Sequence, residues 1–168
     1  DYHVLPEIVE DGQTFRANAE KKALTIAGHT GRLAMGEDSG LEVAALGWQP
    51  GVYSARFSGP GATDQKNNAK LLRSLRGVPL DRRQARYRCV AVLATPRGVV
   101  AAVSGQCSGV IAEQPRGENG FGDDPLFVVR RYGQTFGQLD PAVKRRISHR
   151  ARAMKKLYGF LAGYRPVP

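Results

Sequence analysis

Residues 85–111 read A-R-Y-R-C-V-A-V-L-A-T-P-R-G-V-V-A-A-V-S-G-Q-C-S-G-V-I, and this stretch decides the fold. Its two halves, 85–95 and 99–111, are rich in Val, Ala, Tyr and Cys, a composition typical of β-strands. The tripeptide Pro96-Arg97-Gly98 separates them and contains the two residue types that most strongly mark turns. The stretch therefore predicts a long β-hairpin.

Helices and shorter strands surround this hairpin in the chain. Short strands are predicted at residues 33–35 and 126–129. Capping residues and apolar spacing predict three helices: residues 14–27 with Gly28 as the stop, a second helix capped by Thr63, and a basic helix that begins at Asp140-Pro141 and continues to Leu161. The order helix, strand, helix, hairpin, strand, helix predicts an α/β fold, with a central mixed β-sheet flanked by helices in a single domain over residues 1–168.

The composition excludes several classes of protein. The 168 residues are 42% hydrophobic and 24% charged, which is enough chain to bury a core without disulfides or metal ions. The apolar runs fall far short of the ~20 residues that cross a bilayer, so no membrane partner is expected. Cys89 and Cys107 lie in predicted strands and indicate buried thiols of a reducing compartment, the cytoplasm, although a bridge between them stays open.

The charge balance indicates an anionic partner. Twenty-five Lys and Arg against fifteen Asp and Glu give a net charge of +10. Residues 130–156 alone hold nine Lys or Arg against one acid, Asp140. Nucleic acid, anionic lipid and a nucleotide polyphosphate all satisfy a charge excess of this kind.

Two acidic segments are candidates for metal chemistry. E-D-G at residues 10–12 stands just before the first helix, and E-D-S-G at residues 37–40 follows a short strand, where a loop can place carboxylates at a cleft. Carboxylate oxygens are the ligands of hard divalent cations, and Mg²⁺ takes one or two of them together with substrate phosphates. The alternative is two solvated turns and a helix cap.

A glycine-rich loop and the basic helix are the other candidate sites. In G-E-N-G-F-G-D-D-P, residues 117–125, three glycines surround Phe121, which suits close approach to a flat ligand and stacking on it. The alternative turns this ring into the core. In S-H-R, residues 148–150, His and Arg can donate to carbonyl groups of a base, and Lys144 on the same helix face can hold phosphates. The alternative there is a solvated basic face.

Four separated blocks occur in a recognisable order: E-D-G-Q-T-F-R-A-N-A-E-K-K-A from Glu10, G-E-D-S-G-L-E-V-A-A-L-G-W-Q-P-G-V-Y-S-A-R-F-S-G from Gly36, G-E-N-G-F-G-D-D-P-L-F from Gly117, and I-S-H-R from Ile147. Together with T-D-Q-K-N from Thr63, they closely resemble the inosine triphosphate pyrophosphatase family over about residues 6–161. The resemblance implies an enzyme that uses Mg²⁺ to hydrolyse dITP, ITP and XTP to the monophosphate and pyrophosphate. It also implies a homodimer and two lobes with the active-site cleft between them.

The resemblance implies roles for particular residues. Asp38 matches the family's catalytic general base and metal-associated carboxylate, and Glu10 matches its acidic metal ligand. Lys22 matches a lysine near the phosphates, and Ser39 a substrate-contacting position. The base-contacting loop and the remaining nucleotide contacts are matched by Phe121, Gly122, Asp123, Asp124, Lys144, His149 and Arg150.

The chain departs from the family's pattern at two places. The family begins with a strand, a phosphate-cradling turn of the type S/T-x-N-x-x-K and a helix, so a strand–turn–helix unit is expected to precede Asp1. An aromatic residue usually stands at the position of Asp123. Either stacking on the base is weaker in this chain, or the task falls to Phe121.

Two other functions stay open at this stage. A nucleic-acid-binding module would use residues 130–156, but without metal the acidic segments would repel a phosphate backbone, so no stable nucleic-acid complex is expected. A related nucleotide pyrophosphatase would differ in base preference. For hypoxanthine and xanthine, donors from His149, Arg150 or loop amides would be aimed at the 6-keto oxygen, which adenine lacks.

Overall fold

The computed structural model describes residues 5–165, which form a β-sheet with helices on both faces. The elements in chain order are α1 Phe15–Thr30, β1 Ala34–Val43, β2 Gln49–Pro50, α2 Asp64–Ser74, β3 Gln84–Thr95, β4 Gly98–Ile111, β5 Phe127–Val129, β6 Gln134–Thr135, α3 Pro141–Ile147 and α4 His149–Gly163. Short 3₁₀ turns at Ala44–Leu46, Gly51–Arg56 and Leu80–Arg82 connect some of them. No helix in this range is long and apolar enough to cross a membrane.

The predicted hairpin forms the middle of the sheet, whose strand order is β2-β1-β3-β4-β5-β6. β3 and β4 pair antiparallel, and their last pair, Thr95↔Gly98, closes the expected turn. The α/β architecture is confirmed. A mixed sheet was expected, whereas the strand pairings within residues 5–165 are all antiparallel. The reason is that the long connection after β1 returns to the end where β1 finishes, so Val43 lies opposite Ala85.

Two helices lie against opposite faces of this sheet. A Cβ on Gly36 would be 2.3 Å from a backbone oxygen of α1, and a Cβ on Gly105 would be 2.1 Å from a backbone oxygen of α4. Gly36 pairs with Val92 and Gly105 pairs with Cys89, an odd number of positions apart in β3, so the two glycines face opposite sides. Glycine is needed at both positions because any side chain would separate helix from strand.

The larger hydrophobic core lies on the α4 side of the sheet. Leu71 and Leu75 from the α2 region are fully buried in it. The rings of Tyr87 and Phe127 lie 4.6 Å apart between centroids, and those of Phe127 and Phe136 lie 5.2 Å apart. Tyr87 and Phe136 of this aromatic stack line the same cleft as the loop at residues 117–125.

Two helix boundaries differ from expectation. Thr14 caps α1 as predicted, but the helix continues through Gly28 to Thr30, and Gly31, with a left-handed φ of 68°, caps its C-terminus. The basic helix expected from Asp140 is broken at Ser148 into α3 and α4. The Ser148 hydroxyl accepts from the Ala151 N–H at 3.2 Å and so caps α4. This local hydrogen bond competes with continuation of the preceding helix.

Candidate active site

The acidic segment at residues 37–40 lies inside β1 and not in a loop after it. Consecutive side chains of a strand point to opposite faces of the sheet. Asp38 points toward α1, whereas Glu37 and Ser39 point toward α4. Strand alternation therefore divides the predicted site residues into two groups, one on each face of β1.

The first group contains Asp38, Lys22 and Glu10. The Lys22 Nζ lies 2.8 Å from Glu10 Oε1 and 3.2 Å from Asp38 Oδ1. The same ammonium donates to the backbone carbonyl of Glu37 at 3.0 Å. One point between α1 and β1 thus brings together the two expected metal ligands and Lys22, whereas Lys144, also assigned to phosphates, pairs with Asp124.

Asn18 orients this group, and the sequence analysis missed it. Its Nδ2 donates to Asp38 Oδ2 at 3.0 Å, and its Oδ1 accepts from the Gly12 N–H at 2.8 Å. Asn18 is fully buried, and it ties the turn that carries Glu10 to the strand that carries Asp38. The available signal was its position four residues before Lys22, which places both side chains on one face of α1.

The electrostatics of the group raise the proton affinity of Asp38 and keep the neighbouring Lys22 protonated. Burial raises the pKa of Asp38, assisted by the Glu10 charge and opposed by the Asn18 hydrogen bond and Lys22. Burial alone would lower the pKa of Lys22, but its hydrogen bonds and charge interactions with Glu10 and Asp38 outweigh burial and raise that pKa. Asp38 is therefore more basic than an exposed aspartate, and Lys22 keeps its proton.

The two carboxylates of the first group fit a divalent cation. Glu10 and Asp38 both contact the single Lys22 ammonium, so their oxygens converge on a position that already holds a positive charge. Two carboxylates are what Mg²⁺ takes when phosphates and water complete its shell. Between residues 5 and 165, no group of three or more His, Cys, Asp or Glu could hold a metal ion by itself. A cation bound here would need further ligands from a substrate.

The second group lines a cleft of about 610 Å³ on the α4 side of β1. This volume lies within the range of small-molecule binding sites. Glu10, Lys22 and Asp38 are not among its lining residues. The predicted site residues that do line it are Ser39, Phe121, Gly122, Asp123, Asp124, Lys144, His149 and Arg150.

The loop at residues 117–125 is folded around the carboxylate of Asp124. Its Oδ2 accepts from the Phe121 N–H at 2.8 Å and forms an ion pair with Lys144. A Cβ on Gly120, which has a φ of 84°, would be 2.0 Å from that oxygen. Phe121 is held at the tip of the loop with 62% of its surface exposed. The alternative in which its ring turns into the core is therefore excluded.

Lys144 and Arg150 both lie beside the Phe121 ring. The Lys144 Nζ is 4.7 Å from the ring centroid, and the Arg150 guanidinium carbon is 5.9 Å from it. The sequence analysis assigned Lys144 to phosphates, and the structure holds its ammonium on Asp124 at the cleft. Because Ser148 ends α3, the two basic side chains come from different helices.

His149 lies against Tyr87, with 4.8 Å between ring centroids and 17° between ring planes. Burial, with the positive charges of Arg150 and Lys144, lowers the pKa of His149 to about 4, so its ring is neutral near pH 7. The buried Nδ1 has no hydrogen-bond partner among the residues described. A neutral imidazole carries one donor and one acceptor, so this nitrogen leaves one hydrogen-bonding position of the ring unused.

Glu37 holds Arg150, whereas the sequence indicated Glu37 only as part of an acidic segment for metal chemistry. The Arg150 Nε donates to Glu37 Oε2 at 2.7 Å, and its terminal nitrogen reaches Ser39 Oγ at 3.5 Å. Burial alone would raise the pKa of Glu37, but the hydrogen bond and charge of Arg150 outweigh burial and lower it. The Cys89 thiol donates to Oε1 at 3.4 Å, and burial raises its pKa to about 12. The signal available in the sequence was the position of Glu37 directly before Asp38.

α2 anchors the loop at Gly122. The Asp64 Oδ2 accepts from the Gly122 N–H at 2.7 Å, and the Asn68 Nδ2 donates to the Gly122 carbonyl at 3.0 Å. Asp64 lies in the T-D-Q-K-N block, to which the sequence analysis assigned no role. The missed contact spans 58 positions of the chain, a distance over which local patterns carry no signal.

Asp123 stands beside these anchored residues and lines the cleft. Burial, followed by the charges of Asp124 and Asp64, raises the pKa of Asp123 to about 7. Its carboxyl group therefore keeps its proton to a higher pH than an ordinary aspartate does.

The chain is similar to known proteins over nearly its whole length. The Ham1 family model matches residues 1–160. A dITP/XTP pyrophosphatase of Desulforamulus reducens is 56% identical over 150 residues, which cover 89% of this chain and 75% of that protein. A dITP/XTP pyrophosphatase of Shouchella clausii is 48% identical over 166 residues, covering 99% and 84%. A solved HAM1 protein from Coxiella burnetii has a TM-score of 0.90 at 40% identity and covers 95% and 82%.

Proposed function

The chain belongs to the Ham1 family, and on that premise we propose that it hydrolyses the non-standard purine nucleoside triphosphates dITP, ITP and XTP to monophosphate and pyrophosphate. The arrangement of β1 carries this proposal. One face of the strand presents Asp38 beside a lysine and a second carboxylate. The other face presents Ser39 to a cleft with an exposed phenylalanine. The charged group that would act on the triphosphate thus contains Asp38, and the cleft that would bind the base begins at the adjacent Ser39.

Asp38 is the general base of the proposed reaction. Its carboxylate orients a water molecule and takes its proton while the water oxygen bonds to the α-phosphorus. The bond from that phosphorus to the bridging oxygen breaks, and pyrophosphate leaves with the bonding electrons. The raised pKa of Asp38 supports this role because proton affinity rises with pKa, and such transfer typically contributes ~10²–10⁴-fold.

Glu10 and Asp38 are the proposed ligands of a divalent cation, and Mg²⁺ fits their chemistry. When bound, Mg²⁺ supplies neutralising charge for the phosphate oxygens. Lys22 adds a fixed positive charge at the same point, because its raised pKa keeps the ammonium protonated. Asn18 keeps the second oxygen of Asp38 in place.

The base is proposed to bind in the cleft and stack on Phe121, whose ring is exposed there. Arg150 is a permanent donor, since its hydrogen bond to Glu37 raises its pKa, and His149 offers a neutral imidazole. If these donors meet a 6-keto oxygen, the amino group of adenine leaves them unpaired, and such a site discriminates against adenine by ~10⁴-fold or more. The further proposed contacts are Ser39, Gly122, Asp123, Asp124 and Lys144.

The proposal extends to the compartment and the assembly. Cys89 and Cys107 are both free and buried, which supports a reducing compartment, the cytoplasm. A homodimer is proposed from the family resemblance, and exposed apolar side chains such as Trp48 and Tyr53 offer surface for it. Light scattering of the purified protein measures the assembly directly.

Pyrophosphate release from dITP, XTP, dGTP, dATP and dTTP in the presence of Mg²⁺ tests the proposed function. We expect dITP and XTP to be preferred. Asp38→Asn keeps the shape but removes the charge, so turnover should fall by roughly 10²-fold or more with the fold intact. Asp81→Asn, a change at an exposed acid of the 3₁₀ turn, is the control and should be fully active. Absence of release, or full turnover in folded Asp38→Asn, would overturn the proposal.

A further inference from the structure

Asp123 differs from the neighbouring acids of the cleft in that its carboxyl group has a hydrogen bond from its own backbone N–H. Asp124 accepts from the Phe121 N–H and pairs with Lys144, and Asp64 accepts from the Gly122 N–H. No other residue within 5–165 forms an ion pair or hydrogen bond with the Asp123 side chain. Its carboxyl group is therefore available to a molecule in the cleft.

His149 also lines this cleft. The His149 Nδ1 is buried without a hydrogen bond in the described part of the chain, and His149 is only 7% exposed. Unpaired polar groups in a partly desolvated site cost free energy, which a ligand with a complementary edge recovers. The Asp123 carboxyl group, which lines the cleft, can pair with a ligand whose polar edge carries hydrogen-bonding nitrogen and oxygen atoms.

We propose that Asp123 determines base specificity by pairing with the N1 edge of the purine, as an acceptor when ionised and as a donor when protonated. This inference rests on the proposed function, because it takes the base to lie in the cleft. Hypoxanthine presents an N–H at position 1, whereas adenine presents a lone pair there. The ionised carboxylate accepts from hypoxanthine and repels adenine. The protonated carboxyl group can pair with either base.

The base preference consequently depends on pH. Burial, with the charges of Asp124 and Asp64, raises the pKa of Asp123 to about 7. Neither His149 nor Tyr87 changes charge near that pH, since burial lowers the pKa of His149 to about 4 and raises that of Tyr87 above its usual range. The titratable and charged side chains that line the cleft around Asp123 are Asp64 of α2, Tyr87 of β3, Asp124 of the loop, Lys144 and Arg145 of α3, and His149 and Arg150 of α4.

The test is the ratio of kcat/KM for dITP to kcat/KM for dATP between about pH 5.5 and about pH 8, on either side of the Asp123 pKa. The ratio cancels the titration of Asp38 and of the phosphates, which act on both substrates alike. We expect the ratio to rise about tenfold with pH, the size of one hydrogen bond to a charged group. In Asp123→Asn the ratio should stay low and flat. Asp81→Asn, at an exposed acid, should keep the rise.

A ratio that ignores pH in the unchanged protein, or rises equally in folded Asp123→Asn, overturns the inference. If Asp123→Asn does not fold, carboxyl ¹³C NMR of the unchanged protein decides. A midpoint near 7 that falls when dIMP binds supports the inference, and a midpoint unmoved by dIMP overturns it. Absence of pyrophosphate release from every purine triphosphate would overturn the proposed function instead, and the dIMP titration would still measure pairing with Asp123.

Discussion

Arg150 and Glu37 are joined by a 2.7 Å hydrogen bond from Nε to Oε2, although they lie 113 positions apart in the chain. The backbone carbonyl of Glu37 accepts from Lys22 on the other face of β1. Glu37 therefore contacts both the Lys22 ammonium beside Asp38 and the Arg150 guanidinium beside Phe121. Through Glu37, the two groups of the candidate site share one rigid strand.

Glu37→Gln should weaken base binding while it leaves the chemistry largely intact. The amide keeps the shape but loses the charge that orients Arg150. We expect KM for dITP to rise about tenfold with kcat within about threefold, because Asp38 and Lys22 are untouched. Glu113→Gln, a change at an exposed glutamate, should alter neither constant. A fall in kcat with an unchanged KM would contradict the positioning role.

Lys144→Ala should destabilise the fold, because it leaves the carboxylate of Asp124 buried without its cation. We expect the free energy of unfolding to fall by about 3 kcal/mol in urea denaturation. Lys155→Ala, at an exposed lysine of α4, is the control and should change it by no more than about 0.5 kcal/mol. Adding Asp124→Asn to Lys144→Ala should recover part of the loss. No recovery would mean that the lysine stem, packed beside Phe121, carried the stability.

Gly36→Ala should separate α1 from β1. The new Cβ would lie 2.3 Å from the Ala19 carbonyl oxygen and 2.5 Å from the Ala23 nitrogen, so the helix must move and take Lys22 away from Asp38. We expect a loss of about 2–3 kcal/mol in unfolding free energy, together with reduced dITP turnover. Gly28→Ala, within α1, is the matched control. A Cβ there meets nothing within 4 Å. Because alanine favours the helix over glycine, the change should raise the free energy of unfolding by up to about 1 kcal/mol. Native stability in Gly36→Ala would refute the close approach.

His149 should make stability depend on pH below neutrality. Its folded-state pKa is about 4, below the ordinary 6.5, so the unfolded chain binds the proton more readily. The contribution of neutral His149 to the free energy of unfolding is complete above about pH 6.5. It decreases as the pH falls, and about 3 kcal/mol has been lost near pH 4. Urea denaturation at a series of pH values should show that the free energy of unfolding declines less steeply in His149→Gln than in the unchanged protein. His29→Gln, at an exposed histidine, should match the parent. Equal declines in all three proteins would exclude this contribution.

Features that depend on near neighbours were predicted from the sequence. Thr14, Thr63 and Asp140 each accept a backbone N–H from within three residues, so their caps follow from local chemistry alone. The hairpin turn is equally local. Ser148 shows the limit of such reasoning, because the apolar stripe continued across it while its own hydroxyl started a new helix.

The sequence predicted many residues of the site but not the contacts between them. The four sequence blocks identified Asp38, Lys22 and Glu10, which the structure brings to one point. The role of Asn18 and the ion pair between Glu37 and Arg150 were missed because they depend on which side chains meet across the fold. Strand alternation was also missed, since E-D-S-G has the composition of a loop.

The sequence by itself determined the helices, the hairpin, the positive charge and the family, because these depend on residue identity and on contacts within a few positions. Only the tertiary structure decided that Asp38 and Ser39 face opposite sides of one strand. It also decided which carboxyl groups are paired and which are not. The physical reason is that burial and neighbouring charges set proton affinities. For Asp38 these neighbours include Asn18 and Lys22 of α1, and for Asp123 the charge of Asp64 in α2 adds to that of the adjacent Asp124.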